Sequence, residues 1–195
     1  MNILGLISTP GLAYITKNSN FSYGIMITAS HNPASDNGIK LFSNSGYKLD
    51  SDSEKIIENK INSQTLNNSF KSKKVISGIE LVSNYVNYIR DRYLFQSSKT
   101  RYLIDCSNGS NSQICNELFS DNDNIKLVCR DIQGNNINLN CGALEPKLLH
   151  EKTIENKCDY GIAFDGDGDR AIFCHKKYGY IHTEKIIALF AKSMK

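Results

Sequence analysis

Six consecutive residues, Asp165-Gly166-Asp167-Gly168-Asp169-Arg170, constrain this chain more than any other segment, because they set three carboxylates directly after the apolar run Gly161-Ile162-Ala163-Phe164. Alternate side chains of an extended segment share one face, and glycines between them let the backbone curl, so the three carboxylates can converge on one hard divalent cation. Without a cation the like charges repel. A helix-loop-helix calcium loop also opens with alternating aspartates, but it requires glycine at its sixth position and glutamate at its twelfth, where this chain has Arg170 and Lys176. Three side-chain ligands leave coordination open, which suits magnesium completing its shell with water and a phosphate oxygen. A solvated acidic turn is the blander reading, yet turns ordinarily carry single aspartates. A catalytic metal site is favoured.

A second segment, Thr28-Ala29-Ser30-His31-Asn32-Pro33, follows the apolar Gly24-Ile25-Met26-Ile27 and continues into Asp36-Asn37-Gly38-Ile39-Lys40. Proline biases the residue before it away from helix, so Asn32-Pro33 imposes a turn that holds the Ser30 hydroxyl outward at a strand end. That placement suits a nucleophile. Ser30, His31 and Asp36 do not read as a hydrolase triad, since adjacent residues on an extended chain point in opposite directions and the Gly-x-Ser-x-Gly elbow is absent. For His31 a structural hydrogen bond within the loop is favoured over proton transfer. A serine loop combined with a three-aspartate loop indicates phosphoryl transfer, with the hydroxyl carrying the group and magnesium neutralising it.

These two segments resemble the active-site serine motif and the metal-binding motif of the alpha-D-phosphohexomutase family. Asp105-Cys106-Ser107-Asn108-Gly109, and Asn136-Ile137-Asn138 followed by Cys141-Gly142, extend the resemblance in the family's order from about Ser8 to the last helix. It implies an α/β fold of two domains with mixed, mainly parallel sheets flanked by helices, the first domain incomplete. Residues 1–78 would form the C-terminal part of domain 1 with the phosphoserine loop, 79–181 domain 2 with the metal loop, and 182–195 the start of domain 3. Ser30, Lys40 and Arg170 would be catalytic, Ser30 with Asp165, Asp167 and Asp169 would hold Mg2+, and His31 and Arg170 would contact the substrate. Arg170 would offer its guanidinium to the moving phosphoryl group, and Lys40 would act in proton transfer or charge stabilisation.

The activity so implied moves a phosphoryl group within a phosphosugar, through phospho-Ser30 and a 1,6-bisphosphate. A hexosamine phosphate is the substrate the flanking motifs favour. Glucose or mannose phosphates, or a non-catalytic fragment that retains metal binding, are the alternatives. The family's Gly-Thr-Asp-Gly-x-Arg type segment, its sugar-recognition loop and its phosphate clamp are expected outside these 195 residues, so this stretch alone is not expected to turn over. Ala143-Leu144 and Thr183-Glu184 depart from the family's usual residues and put local contacts in question.

Composition agrees with a soluble globular chain: 40% of residues are hydrophobic, 22% are charged, and the net charge is +3. No apolar run approaches the ~20 residues that cross a bilayer, and Lys71, Lys73 and Lys74 form too short a run for nucleic-acid binding. Six cysteines without a Cys-x-x-Cys pair read as buried thiols in a reducing compartment. Periodicity predicts strands at Gly24–Thr28, Tyr102–Asp105, Ile125–Cys129 and Tyr160–Phe164. Helices are predicted at Asp52–Ile61, Ile79–Tyr93, Gln113–Phe119, Glu145–Glu155 and Thr183–Met194, with a polar linker at Gln64–Lys74. The alternation implies a mainly parallel sheet with its site at the strands' carboxyl ends. The last helix sets Ile186, Ile187, Leu189 and Phe190 on one side, an apolar surface for self-association or a complementing chain.

Overall fold

A computed structural model describes residues 1–63, 74–92 and 99–194. The expected linker lies outside the described residues except for Lys74, and so does Tyr93 at the end of its expected helix. The chain runs β1 (Asn2–Ile3), α1 (Thr9–Asn18), β2 (Tyr23–Ile27), β3 (Ile39–Ser43), α2 (Ser51–Ser63), β4 (Ile76–Ser77) and α3 (Ile79–Arg92). It continues with β5 (Tyr102–Asp105), α4 (Asn111–Phe119), β6 (Ile125–Val128), α5 (Pro146–Glu155), β7 (Tyr160–Phe164), β8 (Ala171–His175), β9 (Gly179–Ile181) and α6 (Thr183–Ser193).

Helix α1 escapes the periodicity reading because Thr9-Pro10-Gly11 looks like turn punctuation. In the structure Ser8 is extended and its hydroxyl accepts from the Gly11 N–H at 3.3 Å, while Pro10 occupies the first turn, where it forfeits no intrahelical bond. Leu12 and Ile15 of α1 then pack with Met26 of β2, Phe42 of β3, and Val82 and Val86 of α3 into a first core. Ile114 of α4 joins this core, so α3 and α4 fasten the first segment of the fold to the second.

The larger sheet has strand order β6-β5-β7-β8-β9. Its first three strands are parallel, as expected, but β8 and β9 add antiparallel. Chain geometry forces this change. A parallel return needs a crossover of a dozen or more residues, and the acidic loop between Phe164 and Ala171 is far too short for one.

Side chains alternate across β5. Leu103 faces Leu149 of α5, with Ala163 and Cys174, whereas Ile104 faces Cys115 of α4, with Cys106 and Ile125. Both faces are therefore covered, and the carboxyl ends of β5, β6 and β7 open along one edge. Helix α6 is amphipathic as expected, with Ile187, Leu189 and Phe190 exposed. Leu103 is 0% exposed, so Leu103→Ala should cost about 2–5 kcal/mol, read as a lower urea midpoint at unchanged m-value.

Candidate metal and phosphoryl-transfer site

The acidic loop leaves β7 at the carboxyl edge of the parallel strands, and the serine loop joins β2 to β3. Gly166 lets these loops meet, and Gly168 lets the acidic loop turn beside α4. A Cβ on Gly166 would lie 2.6 Å from the Ser30 carbonyl oxygen and 2.9 Å from Asn138 Nδ2, and Gly168 has φ +72° with the Asn111 side chain packed against it. A larger residue at 166 would hold the loops apart.

Asp165 and Asp167 are both 1% exposed. Charges so buried require partners, and each draws them from a different element. Ser30 Oγ donates to Asp165 Oδ2 at 2.7 Å, and the Arg170 N–H donates to Asp165 Oδ1 at 3.1 Å. For Asp167, Thr9 Oγ1 donates to Oδ2 at 2.7 Å, and the Thr9 N–H donates to its carbonyl at 2.8 Å. Lys40 pairs with Met26 across the β2-β3 ladder, which sends its side chain to the inner face that Met26 occupies. Its Nζ lies 2.6 Å from Asp167 Oδ2 and 2.7 Å from Asp169 Oδ2.

Burial pushes the Asp165 carboxyl above its ordinary pKa, against the hydrogen bonds from Ser30 and Arg170. Burial acts the same way on Asp167, but Lys40 and Thr9 outweigh it and hold Asp167 below the usual carboxylate range. Lys40 loses solvation, yet its bonds to Asp167 and Asp169 raise its pKa and keep it an ammonium.

Ser30 itself has φ +56°, an uncommon conformation for a side chain with a Cβ. Several bonds hold it there: the Ser30 N–H donates to Thr28 Oγ1 at 2.9 Å, and Asn138 Nδ2 donates to the carbonyls of Ser30 at 2.9 Å and Asn32 at 3.1 Å. Asp36 accepts from Asn32 Nδ2 at 2.9 Å and so braces the loop. The hydroxyl points to Asp165 and away from any triad geometry. His31 departs from the bond expected of it, because its Nδ1 is buried without a hydrogen-bond partner among the described residues. The Arg170 side chain is 52% exposed, with Nε 3.9 Å from Asp169 Oδ1, so its guanidinium faces the open side. A cleft of about 240 Å³, bounded by Met26, Thr28, Ser30, Ile137, Gly166 and Asp167, lies beside the hydroxyl.

The donor set fits a hard divalent ion. Asp165, Asp167 and Asp169 each offer an oxygen, all within 4.8 Å of one another, and Asp167 Oδ1 is buried without a hydrogen-bond partner among the described residues. Thr9 and Asn138 also orient the site, roles that the sequence does not reveal even though Asn138 lies in one of the motifs quoted above. Thr9 carries no chemical signal of its own, and Asn138 lies more than a hundred residues from the loop it clamps.

Residues 2–68 match the profile described as phosphoglucomutase/phosphomannomutase, alpha/beta/alpha domain I. The crystal structure of a phosphoglucomutase/phosphomannomutase family protein from Burkholderia thailandensis superposes with TM-score 0.77 at 23% identity, covering 99% of this chain and 44% of that one. The matches to this chain support an alpha-D-phosphohexomutase family protein. Within that family, the chain is similar to curated phosphoglucosamine mutases. That of Solibacter usitatus is 36% identical over 195 residues, covering 98% of this chain and 43% of the relative. That of Caldicellulosiruptor saccharolyticus is 37% identical over 199 residues, covering 99% and 44%. The chain thus spans less than half the length of these relatives.

Thr9→Val keeps the shape of the first turn of α1 but removes a donor that orients Asp167. Magnesium affinity measured by titration calorimetry should fall about 10- to 100-fold, and an unchanged affinity would dismiss Thr9 as an orienting group.

Proposed function

We propose that this chain carries the phosphoserine and metal-binding portion of a phosphoglucosamine mutase, which interconverts glucosamine 6-phosphate and glucosamine 1-phosphate. The observation that carries this reading is the 2.7 Å hydrogen bond from Ser30 Oγ to Asp165, which joins the nucleophile loop to the acidic loop. Phospho-Ser30 gives its phosphoryl group to the free hydroxyl of the sugar phosphate: the serine O–P bond breaks, a sugar O–P bond forms, and a 1,6-bisphosphate results. Turned over in the cleft, the bisphosphate returns its other phosphoryl group to Ser30. The preference for glucosamine over glucose or mannose rests on the names of the similar relatives.

Asp165, Asp167 and Asp169, with an oxygen of Ser30, would hold Mg2+, which when bound neutralises charge on the phosphoryl oxygens. Lys40, kept as an ammonium between two carboxylates, is suited to charge stabilisation and poorly suited to accept a proton. The exposed Arg170 guanidinium can take a planar, bidentate grip on a phosphate, and His31, beside the nucleophile, contacts the sugar phosphate. The left-handed backbone at Ser30 holds the hydroxyl against Asp165 beside the cleft and spares the transition state that reorganisation.

On this reading residues 1–78 belong to the first domain, 79–181 to the second and 182–195 to the third, with α3 as the contact between the first two. Phosphosugar chemistry and six free thiols favour the cytoplasm. Among the described residues, no helix is long and apolar enough to cross a membrane. The exposed side of α6 would serve self-association or a complementing chain. Sizing in solution tests this, with a monodisperse monomer as the outcome against it.

Incubation with glucosamine 1,6-bisphosphate and magnesium should add one phosphoryl mass at Ser30, located by peptide mass spectrometry, and none in Ser30→Ala. Phosphoryl transfer to another residue, or to none, would refute the assignment.

A further inference from the structure

A second polar cluster stands at the same sheet edge, and the reaction above does not use it. Asp105 ends β5, Cys129 follows β6, Cys141 lies in the loop before α5, and Lys152 projects from α5. Side-chain ligand atoms of Asp105, Cys129 and Cys141 lie within 4.8 Å of one another. Lys152 Nζ donates to Cys129 Sγ at 3.0 Å, to Asp105 Oδ2 at 3.1 Å and to the Asn140 carbonyl at 3.3 Å. Three acceptors match the three protons of an ammonium, and neither Asp105 oxygen is left buried without a partner. The cluster thus contains its own cation in Lys152.

We propose that Cys129 and Cys141 form a peroxide-reactive dithiol, in which the Lys152 ammonium activates Cys129 as the attacking thiolate and Cys141 is the resolving thiol. Of the six cysteines, Cys129 alone is half-buried while the other five are buried. The hydrogen bonds from Cys141 and Lys152 lower its pKa against the effect of burial. Cys141 is pushed the other way, first by its bond to Cys129 and then by burial, and stays protonated. The neighbouring pair Cys106 and Cys115 is a built-in contrast: Cys106 is raised by its bond to Cys115 and by burial.

The Cys129 thiolate attacks one oxygen of hydrogen peroxide. An S–O bond forms, the O–O bond breaks, and the departing hydroxide takes a proton to become water. The Cys141 sulfur then attacks the sulfenic sulfur, so that an S–S bond forms, the S–O bond breaks, and hydroxide leaves with the Cys141 proton as a second water. Two thiols are oxidised and one peroxide is reduced.

The protein is treated with hydrogen peroxide, quenched with N-ethylmaleimide and mapped by peptide mass spectrometry. A dithiothreitol-reversible 129–141 disulfide should appear before any change at Cys106, Cys115, Cys158 or Cys174. In Cys141→Ser the reaction should stop at a sulfenic acid on Cys129 that dimedone traps. Lys152→Met should slow oxidation of Cys129 about tenfold, the effect of one pKa unit on thiolate population. Because that change strips the buried Asp105 of its cation, the double variant Lys152→Met/Asp105→Asn is measured alongside. A different disulfide forming first, a Cys129 no faster than the buried thiols, or a double variant reacting at the wild-type rate would each overturn the proposal.

Discussion

Burying the carboxylates of Asp165 and Asp167 is the constraint on which the arrangement of this chain turns. An uncompensated charge in the interior is far costlier than any single contact is favourable, so every group that reaches these two must be held in place. Those groups come from Ser30, Thr9, Lys40 and the Arg170 backbone, which lie on four different segments. Apolar packing of α3 and α4 brings the first core against the sheet, and the charge requirement sets how the two meet.

The loops at this junction are unusually constrained for surface segments. Ser30, Ser107, Asn108, Cys129, Asn138 and Asn140 all take positive φ without being glycine. Each such residue is strained on its own, and the cross-bracing by Asn138 and Asn108 sustains the geometry. A site formed in this way has little freedom left to lose when a ligand binds.

The carboxyl edge of the parallel strands carries two clusters, and they differ in the hardness of their atoms. Oxygen donors gather after β7 with one buried oxygen unpartnered among the described residues, whereas after β5 and β6 thiols and a carboxylate surround a lysine with all its protons used. The same loop touches both: Cys141 accepts from Asn108 Nδ2, and Asn138, three residues before it, holds the carbonyls of the serine loop.

From residue order alone one can read the acidic hexapeptide, the serine turn, the parallel strands with their carboxyl-end site, and most helices, because local periodicity and charge spacing are properties of neighbours in the chain. Thr9 and Asn138 could not be read in this way, nor could the inward turn of Lys40 or the pairing of Cys129 with Lys152. Each of those depends on contacts between distant segments. The antiparallel β8 was implicit in the shortness of its connecting loop, but β9 became a strand only by pairing with it. Sequence supplied the reactive groups. Tertiary packing decided which of them share a charge, since electrostatic partnership depends on distance in space, and a separation of 135 residues between Ser30 and Asp165 closes to 2.7 Å only in the folded chain.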